Sequence, residues 1–150
     1  MKNPYFSFLT EIGIIAQLSR TMLEKRLPDG VSAPMFGVLN HLARLGGGQT
    51  PLQIARAFQV AKSSMTNTLA GLERRGLIEM RPNPKDGRSK GVWLTDKGAT
   101  LREAAIQQVA PDLKGLAEAF PAGYVDEITP RLSEIRAWLD AARDADNSAE

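Results

Sequence analysis

The fold is decided by residues 50–97, which read TPLQIARAFQVAKSSMTNTLAGLERRGLIEMRPNPKDGRSKGVWLTDK. Thr50 followed by Pro51 is a typical helix start, because threonine caps well and proline suits the first helical position. Apolar residues recur at helical spacing as far as Gly76, and an apolar and polar alternation typical of a strand follows. The stretch therefore predicts two short helices followed by a β-hairpin.

The two helices are predicted to meet at a tight turn formed by Gln59 and Val60. The inward positions of the shorter, first helix are Leu52, Ile54, Ala55 and Phe58. The second helix is expected from about Ala61 to Arg75, with Gly76 ending it as a C-terminal cap. Two helices joined by such a turn are typical of a helix-turn-helix.

The second helix of this pair has one apolar and one polar face on a helical wheel. Its buried positions are Met65, Leu69 and Leu72. The opposite side, which we call the outer face, carries Ser63, Asn67 and Arg74, is flanked by Ser64 and Thr66, and has Lys62 near its start. Small hydroxyl and amide side chains allow close approach to a major groove and can bond base edges and phosphates. We predict that these residues contact DNA; a merely solvated helix would more often use Glu, Lys and Ala.

Turn-forming residues fill positions 82–88, which predicts a long tip between strands at residues 77–81 and 91–94. The charged residues at this tip are Lys85, Asp86, Arg88 and Lys90. A basic loop beside a groove-binding helix can reach the neighbouring minor groove or the backbone, and arginine is the usual residue in a narrow minor groove. Asp86 is close enough in sequence to pair with Arg88. The alternative interpretation is an ordinary solvated turn.

Helices are also predicted on both sides of this stretch. The first covers residues 6–27, and Ser32 caps a second that the glycines at 46–48 end. The inward stripe of that second helix is Met35, Val38, Leu39, Leu42 and Leu45. Thr95 caps a helix expected at about residues 96–120 with a kink at Pro111, and a last helix at about 124–142 precedes a frayed tail. No internal repeat or long linker divides the chain, which indicates one domain.

Composition excludes several classes of protein and site. The 150 residues contain no cysteine, which excludes disulfides, thiolate metal sites and cysteine chemistry, and the single histidine predicts neither a metal site nor a cofactor. Residues 56–90 carry a net charge of +5 and residues 98–150 one of −5, so the basic middle suits a polyanion. Neither a signal peptide nor a run of about 18 apolar residues is visible, and we expect a cytoplasmic protein without a membrane partner.

Five segments resemble the multiple-antibiotic-resistance regulator (MarR) family in order and spacing: residues 50–55, 62–69, 72–78, 84–90 and 94–98. The resemblance covers roughly residues 31–101. It implies a mainly α fold with a small β-hairpin, called the wing. A winged helix-turn-helix lobe at about 31–97 would be flanked by dimerisation helices at about 4–28 and 98–143, within one domain over residues 1–150.

The resemblance also implies a function. The chain would be a sequence-specific regulator of transcription, most commonly a repressor, that binds a palindromic operator in double-stranded DNA as a homodimer. Arg88 matches the wing arginine that the family uses at the minor groove, and Asp86 matches its wing aspartate. Gly87 departs from the pattern, since a second basic residue often stands between these two. This difference puts one wing contact in doubt and leaves Arg88 in place.

Many members of the family lose affinity for DNA when a small, often aromatic, acid binds. Four residues could line a site for such an effector: Tyr5, Arg20, His41 and Arg44. Surface or packing roles are the commoner explanation for each of them.

Two other functions compete with DNA binding. An enzyme would have to rely on His41, yet there is no Gly-x-Ser-x-Gly elbow, and the glycines at 46–48 lack the lysine of a phosphate loop, so we predict no catalysis. A winged-helix module that binds a protein without an operator is the stronger alternative, and the acidic carboxy-terminal half would suit it.

Overall fold

A computed structural model describes residues 3–148 of the chain and confirms a mainly α fold with one hairpin. In chain order the elements are α1 (Pro4–Glu24), α2 (Ala33–Leu45), α3 (Pro51–Phe58), α4 (Lys62–Arg74), β1 (Ile78–Asn83), β2 (Asp86–Leu94), α5 (Asp96–Val109), α6 (Lys114–Ala119) and α7 (Ala122–Ser148). Two compact units contain them. The first extends to Ala110 and the second begins at Pro111.

The core of the first unit lies between α2, α3, α4 and the hairpin. Its buried members are Val38, Leu39, Leu42, Ile54, Ala55, Met65, Leu69, Leu72, Leu77, Ile78 and Val92. The predicted stripes of α2 and α4 supply most of them. Leu45 and Leu52 are exposed, so their predicted inward positions were wrong. Leu52 is two residues before Ile54 and therefore on the opposite side of α3, whereas Leu45 is the last residue of α2.

Side chains cap the starts of three helices as predicted. The Ser32 hydroxyl accepts a hydrogen bond from the backbone N–H of Met35, and the Thr95 hydroxyl accepts one from the N–H of Gly98. Thr50 forms a capping box with Gln53: its hydroxyl accepts from the Gln53 N–H at 3.2 Å, and the Gln53 amide oxygen accepts from the Thr50 N–H at 2.9 Å. These bonds fix where α2, α3 and α5 begin.

The hairpin differs from the prediction, because its strands are longer and its turn is shorter. β1 and β2 pair antiparallel from Ile78 opposite Leu94 to Pro82 opposite Lys90, and the register shifts before Asn83 meets Asp86. Only residues 84 and 85 lie between the strands. Proline is tolerated in a two-stranded sheet and next to an irregularity in the register. Both strands of such a sheet are edge strands, so the missing N–H of proline breaks no hydrogen bond to a third strand. The turn-forming residues at positions 82–88 therefore predicted a longer turn than the structure has.

The carboxy-terminal helices also differ from the prediction. The expected kink at Pro111 is a break, since α5 ends at Val109 and α6 begins at Lys114. Proline has no N–H with which to continue the helical ladder. In the second unit α7 continues to Ser148, so the predicted fraying was wrong for residues 143–148. Residues 149 and 150 of the predicted tail lie outside the described range. Ion pairs between Arg136 and Asp140 and between Arg143 and Asp140, both 3.0 Å, join successive turns there.

Candidate nucleic-acid interface

The turn between α3 and α4 sets the angle of the outer face. Gln59 adopts a left-handed conformation with φ of 52°, and within residues 3–148 it is the one residue other than glycine with a positive φ. Its N–H donates to the carbonyl of Arg56, and the N–H of Val60 donates to the carbonyl of Ala55. Ile54 and Ala55 of α3 belong to the same buried core as the apolar side of α4. The predicted helix-turn-helix is therefore present.

The outer face of α4 is exposed as predicted. The predicted side chains Lys62, Ser63, Ser64, Thr66, Asn67 and Arg74 are all exposed, and Met65, Leu69 and Leu72 on the other side are buried. Among the described residues, no side chain forms a hydrogen bond or ion pair with that of Ser63 or Asn67, so both are available to a ligand. Thr66 is different because its hydroxyl donates to the carbonyl of Lys62 at 2.8 Å, which leaves it as an acceptor.

The tip of the wing presents three basic side chains to solvent. Lys85, Arg88 and Lys90 are exposed, and in the part of the chain that the structure describes no acid pairs with any of them. The predicted ion pair between Asp86 and Arg88 is not formed. The Asp86 carboxylate instead accepts a hydrogen bond from the backbone N–H of Arg88 at 3.0 Å. Asp86 thus shapes the backbone of the tip and leaves the guanidinium of Arg88 free.

The base of the wing is attached to the loop that follows α2. The N–H of Val92 donates to the carbonyl of Gln49 at 2.8 Å, and the N–H of Gly48 donates to the carbonyl of Val92 at 2.9 Å. A Cβ on Gly91 would lie 3.0 Å from the Cα of Gly48, so the two backbones are in direct contact. The aromatic ring of Trp93 covers the same loop at Gly47.

The glycines at 46–48 were predicted only to end a helix. Their second role is to make room for β2. The available signal was a further glycine at position 91 within a predicted strand, since a glycine inside a strand often marks a close backbone approach. Arg81 adds to this base: its guanidinium lies 4.8 Å from the centre of the Trp93 ring, and its Nε donates to Glu79 at 2.8 Å.

The four candidate effector residues differ in their surroundings. His41 is buried, bonded to Gln49 and in contact with the Phe58 ring at 5.3 Å between centroids, which is a packing environment. The side chains of Tyr5, Arg20 and Arg44 are exposed and form no hydrogen bond with His41 among the described residues. Residues 3–148 contain no group of three His, Asp or Glu side chains able to hold a metal ion. No helix in that range is long and apolar enough to span a membrane.

Comparison with known proteins agrees with this geometry. The family model described as the MarR family matches residues 29–89. The chain is similar to the crystal structure of wild-type MarR from E. coli in its apo form, with 27% identity and a TM-score of 0.70 over 90% of this chain and 98% of that one. A MarR variant from E. coli complexed with operator DNA matches at 26% identity, with a TM-score of 0.65 over 89% and 99% of the two chains.

A transcriptional regulator of the family from Rhodococcus sp. RHA1 shares the fold, with 20% identity and a TM-score of 0.72 over 91% of this chain and 98% of that one. The family model covers the helix-turn-helix and most of the wing, and the structural matches extend over about nine-tenths of the chain. Residues 29–89 thus match the MarR family, and the fold of the chain is similar to that of solved MarR-family transcriptional regulators.

Proposed function

We propose that this chain binds a palindromic operator in double-stranded DNA as a homodimer and thereby regulates transcription. The proposed outcome is repression, which is the commonest one in the family that the chain resembles. The observation that carries the proposal is the outer face of α4, where Ser63 and Asn67 are exposed and have no side-chain partner among residues 3–148. An asparagine on such a helix can bond adenine through two hydrogen bonds in the major groove, and serine can bond bases or phosphates. The E. coli MarR variant solved with operator DNA supports this assignment.

The wing supplies the second contact in this proposal. Arg88 and its neighbours Lys85 and Lys90 project from an exposed tip without acidic partners in the described part of the chain. Unpaired guanidinium groups suit a narrow minor groove, where the negative potential is strongest. Asp86 contributes by fixing the backbone at Arg88. The wing contact would be largely electrostatic and α4 would provide most of the sequence preference.

The second copy of the chain is proposed to cover α1 and α7. Neither helix has a buried residue, although both carry large apolar side chains such as Phe6, 72% exposed, and Trp138, 70% exposed. On α7 the exposed apolar residues Val125, Ile128, Leu132, Ile135 and Leu139 are spaced alternately three and four apart. That spacing is typical of a helix that packs against another helix along one stripe. A two-fold dimer uses the same surface of both copies, and an apolar stripe on one copy suits the same apolar stripe on the other.

The proposed layout follows from these assignments. Residues 31–97 would form the DNA-binding lobe, and residues 4–28 and 98–143 would form the dimer. Two copies of α4 related by a two-fold axis would meet two half-sites of a palindrome about one helical turn apart, roughly 34–36 Å. A small aromatic or acidic effector that weakens DNA binding is part of the proposal and rests on the family resemblance alone. The cytoplasmic location follows from the need to reach the operator.

Selection of bound duplexes from random DNA tests the proposal. We expect enrichment of an inverted repeat, and affinity for it should fall steeply as salt rises, because phosphate contacts release counterions. Arg88→Ala should reduce the slope of log affinity against log salt by about one for each phosphate that the wing no longer neutralises. Lys114→Ala, which removes an exposed charge from α6, is the matched control and should leave the slope unchanged.

A flat salt dependence with no preferred duplex would contradict DNA binding and favour the protein-interaction alternative. Repeating the selection with benzoate, a small aromatic acid, tests the effector separately. Release of the enriched duplex by benzoate would support an effector, and identical binding with and without it would count against this probe class while leaving the operator result intact.

A further inference from the structure

His41 is the single histidine of the chain and, among the described residues, the one buried polar side chain beside the apolar core. Its Nε2 lies 2.7 Å from the Oε1 of Gln49. Because an amide oxygen can only accept a hydrogen bond, the histidine donates through its Nε2–H. The Phe58 ring of α3 packs against the imidazole at an interplanar angle of 60°. His41 thus connects α2, the helix-turn-helix and the loop at Gln49.

Gln49 is also the residue to which the base of the wing is bonded. Its carbonyl accepts from the N–H of Val92, and the neighbouring Gly48 donates to the carbonyl of Val92. His41 therefore fixes the side chain of the residue whose main chain holds β2.

The position of the wing tip depends on that base. Every residue from 84 to 88 is exposed, so packing at the tip does not direct it. Arg88 is four residues from Val92, which corresponds to about 13 Å along a strand at about 3.3 Å per residue. A tilt of about 10° at the base would move Arg88 by about 2 Å, more than the range of distances over which a hydrogen bond persists.

We propose that His41 is a positioning residue for the wing: its hydrogen bond to Gln49 sets the direction of β2 and so places Arg88 for its DNA contact. The link to DNA rests on the proposed function. The effect on the wing itself does not, and it is measurable in the absence of DNA.

Trp93 provides the measurement without DNA, because its ring lies against Gly47 and Gly48 at the base. Trp93 and Trp138 are the two tryptophans of the sequence, so Trp138→Phe leaves Trp93 as the only one. In that background His41→Leu should shift the emission of Trp93 to the red and increase its quenching by acrylamide. His41→Gln should restore both values, because the glutamine amide can donate to Gln49 from a similar position.

A loss of core packing alone must be distinguished from a loss of positioning. Phe36→Leu changes another buried residue of α2 that is outside the core cluster containing Val92, and it should lower stability without moving the emission of Trp93. Gln49→Leu removes the acceptor of the same hydrogen bond. It tests the proposal even if the His41→Leu variant does not fold. Combined with His41→Leu it should add little to the emission shift, because both changes remove one interaction. Unchanged emission in both single variants would overturn the proposal.

The binding measurement uses the full chain and the enriched duplex. Arg88→Ala should weaken binding by a larger factor in the wild-type background than in the His41→Leu background, because the guanidinium of a displaced wing already binds DNA less well. The His41→Gln background should show the wild-type factor. An equal factor in all three backgrounds would overturn the link from His41 to Arg88. If the wild-type chain binds no duplex at all, the proposed function fails, and the fluorescence result alone decides whether His41 positions the wing.

Discussion

The lobe built from α2, α3, α4 and the hairpin differs sharply from the helices α1 and α7. The lobe buries most of its large apolar residues, and Leu39 is 0% exposed. Neither α1 nor α7 has a single buried residue, and Leu132 of α7 is 38% exposed. Apolar side chains of the same kind are thus buried in one region of the chain and exposed in the other. The lobe thus buries its core with residues of its own chain, whereas in the proposed dimer a second copy would cover the apolar side chains of α1 and α7.

The most destructive test of this comparison is Leu39→Ala in the lobe. Removing a fully buried leucine side chain forfeits its burial and leaves a cavity, so the free energy of unfolding should fall by about 2–5 kcal/mol. Urea denaturation followed by circular dichroism measures it. The loss should be the same at low and high protein concentration, and a strong dependence on concentration would show that the lobe too is completed by a partner.

The same chemical change on α7 provides the matched experiment. Leu132→Ala should weaken self-association by about 1.5–3 kcal/mol, the value of burying one such side chain, if a second copy covers α7. Sedimentation equilibrium measures the dimer directly, and thermal unfolding should become more sensitive to dilution than in the wild type. Unaltered association would mean that the exposed stripe of α7 faces solvent or another partner.

Asn67→Ala tests DNA binding, which the lobe and the dimer are both proposed to serve and which neither the unfolding nor the self-association measurement detects. It should cost about 1–3 kcal/mol on the enriched duplex and less on random DNA, since the alanine can no longer bond a base edge. Fluorescence anisotropy with both duplexes measures the difference, and Asn147→Ala near the end of α7 is a matched control. An equal loss on the two duplexes would reassign Asn67 to a phosphate contact.

The smallest expected effect is at the turn between α3 and α4. Gln59 has φ of 52°, which is unfavourable for a residue with a Cβ. Gln59→Gly relieves this strain but adds freedom to the unfolded chain, so a net gain within about 1 kcal/mol is expected. Gln107→Gly in α5 is the control and should instead destabilise by up to about 1 kcal/mol. A loss in both variants would show that Gln59 contributes contacts that outweigh the strain.

The sequence predicted the lobe well where the rules are local. Helical spacing located the buried residues of α4, and the caps at Ser32, Thr50 and Thr95 followed from hydroxyl side chains before helices. The outer face of α4 was predicted from the same wheel and is exposed in the structure. Its role in binding DNA remains a prediction.

Long-range contacts were harder to predict. Gly91 inside a strand indicates a close backbone approach, but nothing local indicates that its partner is Gly48, or that His41 reaches Gln49. The extent of β1 and β2 depends on pairing across the ladder, which overrode the turn propensity of Pro82 and Asn83. The length of α7 is an exception, because the ion pair of Arg136 with Asp140 spans one helical turn and is a local signal.

The short turn at residues 84 and 85 has a practical consequence for engineering the chain. The strands on either side are held by their own ladder and, at the other end, by the contact between Gly48 and Gly91. The base of the wing would therefore set the orientation of a longer loop or a dye attachment site inserted at this turn. Such an insertion should leave the fold of the lobe intact. Wings of different length and charge could be grafted here and compared on one constant scaffold.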